Sequence, residues 1–154
     1  MVYNMAGMKD NHSFKYWLRV GEATGVSSMA IDTARILYIE DNPDNRMLVK
    51  RVLEAEGYTL AEASNAHDGL AQAMAEAPDL ILMDINLPEV DGYTTTARLK
   101  ATPGLEHIKV IAVTANVMKG DREKTLAAGC DGYIQKPIDV DQLPRQIARF
   151  LGRA

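Results

Sequence analysis

The run "LILMD", Leu80 to Asp84, decides the architecture: four consecutive apolar residues, then a carboxylate. With no polar residue at every second position, the pattern is that of a strand covered on both faces rather than on one. Reading outward, "RILYI" (Arg35 to Ile39) and "KVIAVTA" (Lys109 to Ala115) repeat it, being apolar over Ile36 to Ile39 and Val110 to Val113. Two more polar runs, "YTLAEA" from Tyr58 and "GYIQK" from Gly132, complete five strand candidates, each followed by a helix-like stretch. Strict alternation of strand and helix implies a parallel sheet. The three apolar strands belong at its centre and the two polar ones at its edges. The expected fold is therefore α/β, a doubly wound five-stranded parallel sheet of order 2-1-3-4-5.

The helices carry their own punctuation. Pro43 suits a first helical turn, Leu48, Val52 and Ala55 follow at i, i+4 and i+7, and Gly57 sits where a left-handed cap ends a helix. Ser64 or Asn65 caps the next helix, with a buried stripe of Ala66, Leu70, Ala73 and Met74 and a stop at Pro78. "DGYTTTARLKATPG" and "VMKGDREKTLAAG" read as two more helices, the second interrupted by Gly120. Leu143, Ile147 and Phe150 mark the last, and Pro144 fits it only if it starts near Asp141.

Composition bounds what such a domain does. A chain of 154 residues, 47% hydrophobic, fits one globular domain with a proper core. Lys plus Arg number 17 against 21 Asp plus Glu, a net charge of -4, so no basic surplus exists to neutralise a nucleic-acid backbone. The single cysteine, Cys130, forms no internal disulfide, no apolar run is long enough for membrane insertion, and "MVYNMAGMKDNHSFKYWL" lacks an apolar leader core. A reducing cytoplasm is the expected setting. "GEATGVSS", Gly21 to Ser28, reads as linker, so residues 1–34 are expected to be an N-terminal extension, either disordered or added in expression, and 35–154 the domain. Phe14, Trp17 and Leu18 could form a short amphipathic turn, but no function is assigned there. Only three residues follow Leu151, so a C-terminal output domain is not expected.

In an open parallel sheet, ligands bind beyond the carboxyl ends of the strands. The polar residues that end strands here are Glu40 and Asp41, Asp84, Thr114, and Lys136 followed by Pro137. Three carboxylates on one edge repel one another and raise their own pKa values unless a cation sits among them. All-oxygen donors favour Mg²⁺, or Mn²⁺, over zinc, and Mg²⁺ characteristically pairs one or two carboxylates with a phosphate oxygen. Such a site admits a phosphoryl group. Lys136 supplies a positive charge and Thr114 a hydroxyl donor, while Asp84 in the middle can attack phosphorus.

The segments "YIEDN", "LILMDINLPEVDGY", "VIAVTAN" and "GYIQKP", together with the intervals between Asp41, Asp84, Thr114 and Lys136, resemble the response-regulator receiver domains of two-component signalling. The likeness runs from Arg35 to Leu151, and its stretch "AVTANVMKGDREKTLAAGCDGYIQKPI" is most similar to single-domain cell-cycle regulators (DivK-like) and to receivers of hybrid histidine kinases. The resemblance implies a flavodoxin-like receiver in which Asp84 accepts a phosphoryl group from the phosphohistidine of a histidine kinase or histidine phosphotransfer protein. It implies that Asp41, Asp84 and the Asn86 main-chain carbonyl ligate Mg²⁺, with Glu40 acting through a metal-bound water. Tyr133 then takes the place of the switch aromatic, moving inward as Thr114 turns to the phosphoryl group, and the Lys136-Pro137 bond is cis. The output is a change in binding of a protein target on the face of the fourth helix, fifth strand and fifth helix, where Met118, Arg122, Gln135, Gln142 and Arg145 are expected at the surface.

Taken singly these residues are weak signals. A lone aspartate after a strand is most often a turn former, and a lone lysine a surface charge. A dehalogenase-like phosphatase shares the aspartate, threonine and lysine but needs a second acid two residues after the nucleophile, where this chain has Asn86. A flavodoxin-like mononucleotide binder needs a Gly-rich phosphate loop, and "EDNPDNR" is acidic. The remaining alternative is a pseudo-receiver, an interaction module that works without phosphorylation. Cys130 is expected to be a packed residue at a helix end, and His12, His67 and His107 to be exposed.

Overall fold

The computed structural model describes residues 33–153; the N-terminal extension expected over residues 1–34 lies, but for its last two residues, outside them. Five strands alternate with five helices: β1 (Arg35–Ile39), α1 (Pro43–Ala55), β2 (Thr59–Ala63), α2 (Ala66–Ala75), β3 (Leu80–Asp84), α3 (Gly92–Ala101), β4 (Lys109–Thr114), α4 (Lys119–Ala127), β5 (Gly132–Gln135) and α5 (Leu143–Phe150). The strands form one parallel sheet in the order β2-β1-β3-β4-β5. The apolar strands are central and the polar ones are its edges, as their patterning predicts.

Alternation along the central strands divides the core in two. Ile36, Tyr38, Leu80, Leu82, Ile111 and Val113 face one way, where Val49 and Leu53 of α1 and Leu143 and Ile147 of α5 cover them. Leu37, Ile39, Ile81, Met83, Val110 and Ala112 face the other, beneath Ala66 and Ala73 of α2 and Leu99 of α3. Every residue of β3 is buried.

Helix ends follow the sequence signals. Asn42 caps α1 by accepting from the Asp44 and Asn45 N–H groups, Pro43 stands at its start, and Gly57 takes a φ of 90° beyond its end. Asn65, not Ser64, caps α2, accepting from Asp68 N. In α5, Leu143 and Ile147 are fully buried, and Pro144 sits in the first turn.

Three expectations need correction. The buried stripe of α1 is Val49, Val52 and Leu53 rather than Leu48, Val52 and Ala55; Leu48 is 45% exposed. On α2 Ala66, Leu70 and Ala73 pack on the sheet as expected and Gly69 joins them, but Met74 is 68% exposed. Gly69 shows why: a Cβ there would collide with the side chain of Ile39, so the helix approaches the sheet through its smallest residue and turns Met74 outward. Gly120 does not interrupt α4, because it lies in the first turn with open space around it.

Candidate functional site

The sheet register gathers the strand-end residues. Glu40 follows β1 directly and its N–H donates to Ala63 O at 3.0 Å. Asp84 ends β3 opposite Val113, Thr114 ends β4 opposite Gln135, and Lys136 N donates to Thr114 O at 2.8 Å. All of these lie on the carboxyl edge of the sheet. Behind Asp84 the chain turns into α3, whose N-terminus is capped by Asp91 accepting from Thr94 N at 2.8 Å. Gly92 is required there: a Cβ would run into the Asp84 carbonyl oxygen and lie 2.8 Å from Ile85 Cα.

Glu40, Asp41 and Asp84 each offer a carboxylate oxygen within 4.8 Å of the others, the only such group of potential metal ligands among the described residues. Glu40 and Asp84 are each 1% exposed, while Asp41 faces solvent. Lys136 Nζ lies 3.0 Å from Glu40 Oε2 and 3.3 Å from Asp84 Oδ1, bridging the two buried acids. Asp84 Oδ1 also accepts from Asn86 N at 3.0 Å. The Lys136-Pro137 peptide is cis.

One lysine does not balance three carboxylates. Burial pushes the Asp84 carboxyl up to about 6, and the Glu40 charge adds to that rise against the pull of Asn86 N and Lys136. Burial acts the same way on Glu40, but hydrogen bonds from Lys136 and Asn45 outweigh it and hold that carboxyl below its usual range. Burial works against the ammonium of Lys136 as well, and its two acidic partners outweigh it, so its pKa is raised. An all-oxygen cluster with a surplus negative charge and one solvent-facing member is a set that fits Mg²⁺.

Thr114 is 2% exposed, and its hydroxyl accepts from Asn116 N at 3.0 Å and donates to Asn116 O at 3.3 Å. It is thus turned to the loop after β4, and no hydrogen bond joins it to Asp84 among the described residues. Tyr133 is half-buried on β5, with the Arg122 guanidinium of α4 lying 5.4 Å from its ring centroid. Met118, Arg122, Gln135, Gln142 and Arg145 are all exposed. Cys130 is a buried free thiol beside Thr96, and burial raises its pKa. His67 and His107 are exposed; His12 lies outside the described residues.

Four supporting residues escaped the sequence reading. The Tyr38 hydroxyl donates to Glu40 Oε2 at 3.2 Å, and Asn45 Nδ2 donates to Glu40 Oε1 at 3.2 Å. Arg46 donates from Nη1 to the carbonyls of Glu40 and Asp41 at 2.7 and 3.1 Å, which pins the acidic turn. Its Nε lies 3.8 Å from Glu62 Oε1 of β2. The available signals were the two-residue spacing from Tyr38 to Glu40, which puts both on one face of the strand line, and the polar residues of the first turn of α1. Glu89 takes a φ of 64°, which nothing about a glutamate announces.

Residues 36–148 match the response regulator receiver domain family. The polar-differentiation response regulator DivK of Brucella anthropi is 45% identical over 119 residues, which is 77% of this chain and 97% of that protein. Among solved structures, the receiver domain of a sensor histidine kinase from Pseudomonas aeruginosa PAO1, with a magnesium ion coordinated in its active-site cleft, aligns with a TM-score of 0.72. It is 35% identical, and the match covers 78% of this chain and 98% of that one. A CheY-like receiver protein of Methanospirillum hungatei JF-1 aligns with a TM-score of 0.71 at 34% identity, covering 79% of this chain and 95% of that one. The chain belongs to the response regulator receiver domain family.

Proposed function

From that membership, we propose that the domain spanning residues 35–154 is a single-domain response regulator whose Asp84 accepts a phosphoryl group from the phosphohistidine of a histidine kinase or histidine phosphotransfer protein. Receiver domains are signalling switches rather than enzymes acting on external substrates. The observation that carries the reading is Asp84 itself: it is buried at the centre of the carboxyl edge, bridged by Lys136 to Glu40, with its carboxyl pushed up to about 6 by burial. The stand-alone reading draws support from the DivK relative, which matches over 97% of its own length. We place the exchange in the cytoplasm, in keeping with the free thiol of Cys130.

Asp41, Asp84 and the Asn86 main-chain carbonyl would hold Mg²⁺, with Glu40 reaching it through water. When bound, the ion neutralises charge on the phosphoryl oxygens and on the carboxylates that face them. An Asp84 carboxylate oxygen attacks phosphorus, the P–N bond to the donor imidazole breaks with its electron pair leaving to nitrogen, and the imidazole regains a proton from water. The product is an acyl phosphate on Asp84. Lys136 already stands within reach of one Asp84 oxygen and is placed to meet the incoming negative charge.

The response needs a second conformation. Thr114 would leave Asn116 to donate to the phosphoryl group, Tyr133 would move inward from beneath Arg122, and the α4-β5-α5 face would change shape. A protein target on that face would read the change through exposed Met118, Arg122, Gln135, Gln142 and Arg145.

Intact mass after incubation with a small-molecule phosphodonor tests the reading, with and without Mg²⁺, on wild type and Asp84→Asn. A single base-labile, metal-dependent phosphoryl addition, absent in the variant, is expected. No addition despite bound Mg²⁺ would favour the phosphorylation-independent pseudo-receiver.

A further inference from the structure

Glu40 is the most completely held side chain at the carboxyl edge. A carboxylate offers about four acceptor positions on its two oxygens, and four donors reach this one. Oε2 accepts from the Tyr38 hydroxyl at 3.2 Å and Lys136 Nζ at 3.0 Å. Oε1 accepts from Asn42 N at 3.3 Å and Asn45 Nδ2 at 3.2 Å. Tyr38 is fully buried in the middle of β1, among aliphatic side chains that a phenylalanine would pack against equally well. Its hydroxyl is an unneeded polar atom in that core unless it serves Glu40, and an unbonded hydroxyl there would be costly. Asn45 approaches from the other side, from the first turn of α1.

We infer that Tyr38 and Asn45 are positioning residues that lock the Glu40 carboxylate, so that it presents Oε2 to Lys136 and does not turn inward as a direct metal ligand. The inference rests on the Mg²⁺ reading above and deepens it by dividing labour within the acidic cluster. Asp41 and Asp84 are left to touch the ion, while Glu40, held by protein donors on both oxygens, orders the lysine and meets the ion only through water. Partners that fix groups around a metal in this way are worth about 10- to 100-fold in affinity or activity. The lower figure is expected here, because Glu40 retains its other donors when one is lost.

Calorimetric Mg²⁺ titration of wild type, Tyr38→Phe, Glu40→Gln and the double variant tests this, with circular-dichroism melts to show that each is folded. Tyr38→Phe should weaken Mg²⁺ about tenfold in the Glu40 background and leave it unchanged in the Glu40→Gln background, where no carboxylate remains to be held. A packing defect would weaken both backgrounds alike, so the difference between them reports the positioning role. Asn45→Ala, which alters no buried apolar contact, should reproduce the pattern and carries the test if Tyr38→Phe is poorly folded. Equal Mg²⁺ affinity in wild type and the variants, or equal loss in both backgrounds, overturns the inference alone. A wild type that neither binds Mg²⁺ nor takes up a phosphoryl group overturns the receiver reading along with it.

Discussion

The two halves of the carboxyl edge are held in opposite ways. On the β1–β3 side, Glu40 and Asp84 are buried, Glu40 takes four donors, and Arg46 pins the carbonyls of the acidic turn. On the β4–β5 side, the Thr114 hydroxyl bonds, among the described residues, only to the main chain of Asn116, and Tyr133 lies half-buried beneath Arg122. The adjoining α4 buries one residue, Thr125, whereas α3 buries four. Helix α4 also begins without a side-chain cap at Met118 and leaves Met118 and Leu126 78% and 67% exposed. Charge is concentrated where the chain is stiff, and the neighbouring element with few buried contacts is the one that opens at low cost. On the proposed reading, a perturbation at Asp84 is expected to relax toward α4, the element with fewer buried residues.

The largest expected effect cuts the tie between the halves. Lys136→Ala leaves Glu40 and Asp84 buried without a cation and should cost about 3 kcal/mol, the low end for breaking a buried pair because Lys136 is partly exposed. Urea unfolding measures this. Part of the loss should return with millimolar Mg²⁺, since the carboxylates that bind the ion remain, and failure of Mg²⁺ to bind the variant would contradict the role given to the lysine. Next come two glycines whose substitutions should have opposite signs. Gly92→Ala forces a Cβ into the Asp84 carbonyl and should destabilise by about 2 kcal/mol. Gly120→Ala, in a helix with open space around it, should stabilise by about 0.5–1 kcal/mol. Equal signs would mean that both sides of the edge are equally tight.

Asp84→Asn should stabilise the fold near neutral pH. Burial raises the Asp84 carboxyl from 3.8 to about 6, so the folded state holds a proton that the unfolded state has already released between those values. The favourable contribution is complete below about pH 4 and is lost as pH rises through about 6, which leaves the wild type carrying an unfavourable charge. Removing that charge should gain up to about 3 kcal/mol, a gain that fades as melts are repeated toward pH 4. A gain independent of pH would point to packing instead. The smallest effect belongs to the loose side: Arg122→Ala removes a ring contact worth about 0.5–1 kcal/mol and should leave stability nearly unchanged. Solution NMR of the Tyr133 ring should show it moving toward the inward position; an unmoved ring would mean that Arg122 does not hold it.

How far the sequence could be read follows the same division. The sheet order, the central strands and the carboxylates at their ends were legible because each rests on a chain-local pattern: an apolar run, then a polar terminus. Helical periodicity places Val52, Ala66, Leu70 and Ala73 correctly but not Leu48 or Met74, since it does not say which small residue meets the sheet; Gly69 against Ile39 decides it for α2. The support for Glu40 stayed hidden for another reason. Tyr38 reads as one more buried strand residue, and its hydroxyl acquires meaning only when β1, α1 and the lysine after β5 meet. Glu89, with its φ of 64°, carries no local signal at all.

The Lys136–Glu40 pair joins residues 96 positions apart. A ribosome therefore delivers all three carboxylates, two directly after β1 and one at the end of β3, well before the cation that reconciles two of them. Until β5 docks, the nascent half of the domain carries its acids uncompensated, and the edge where they will meet has reason to stay open to water. A fragment that stops short of β5 keeps the acids but lacks the lysine that bridges Glu40 and Asp84, so each half of the domain holds one sign of the charge that the fold brings together.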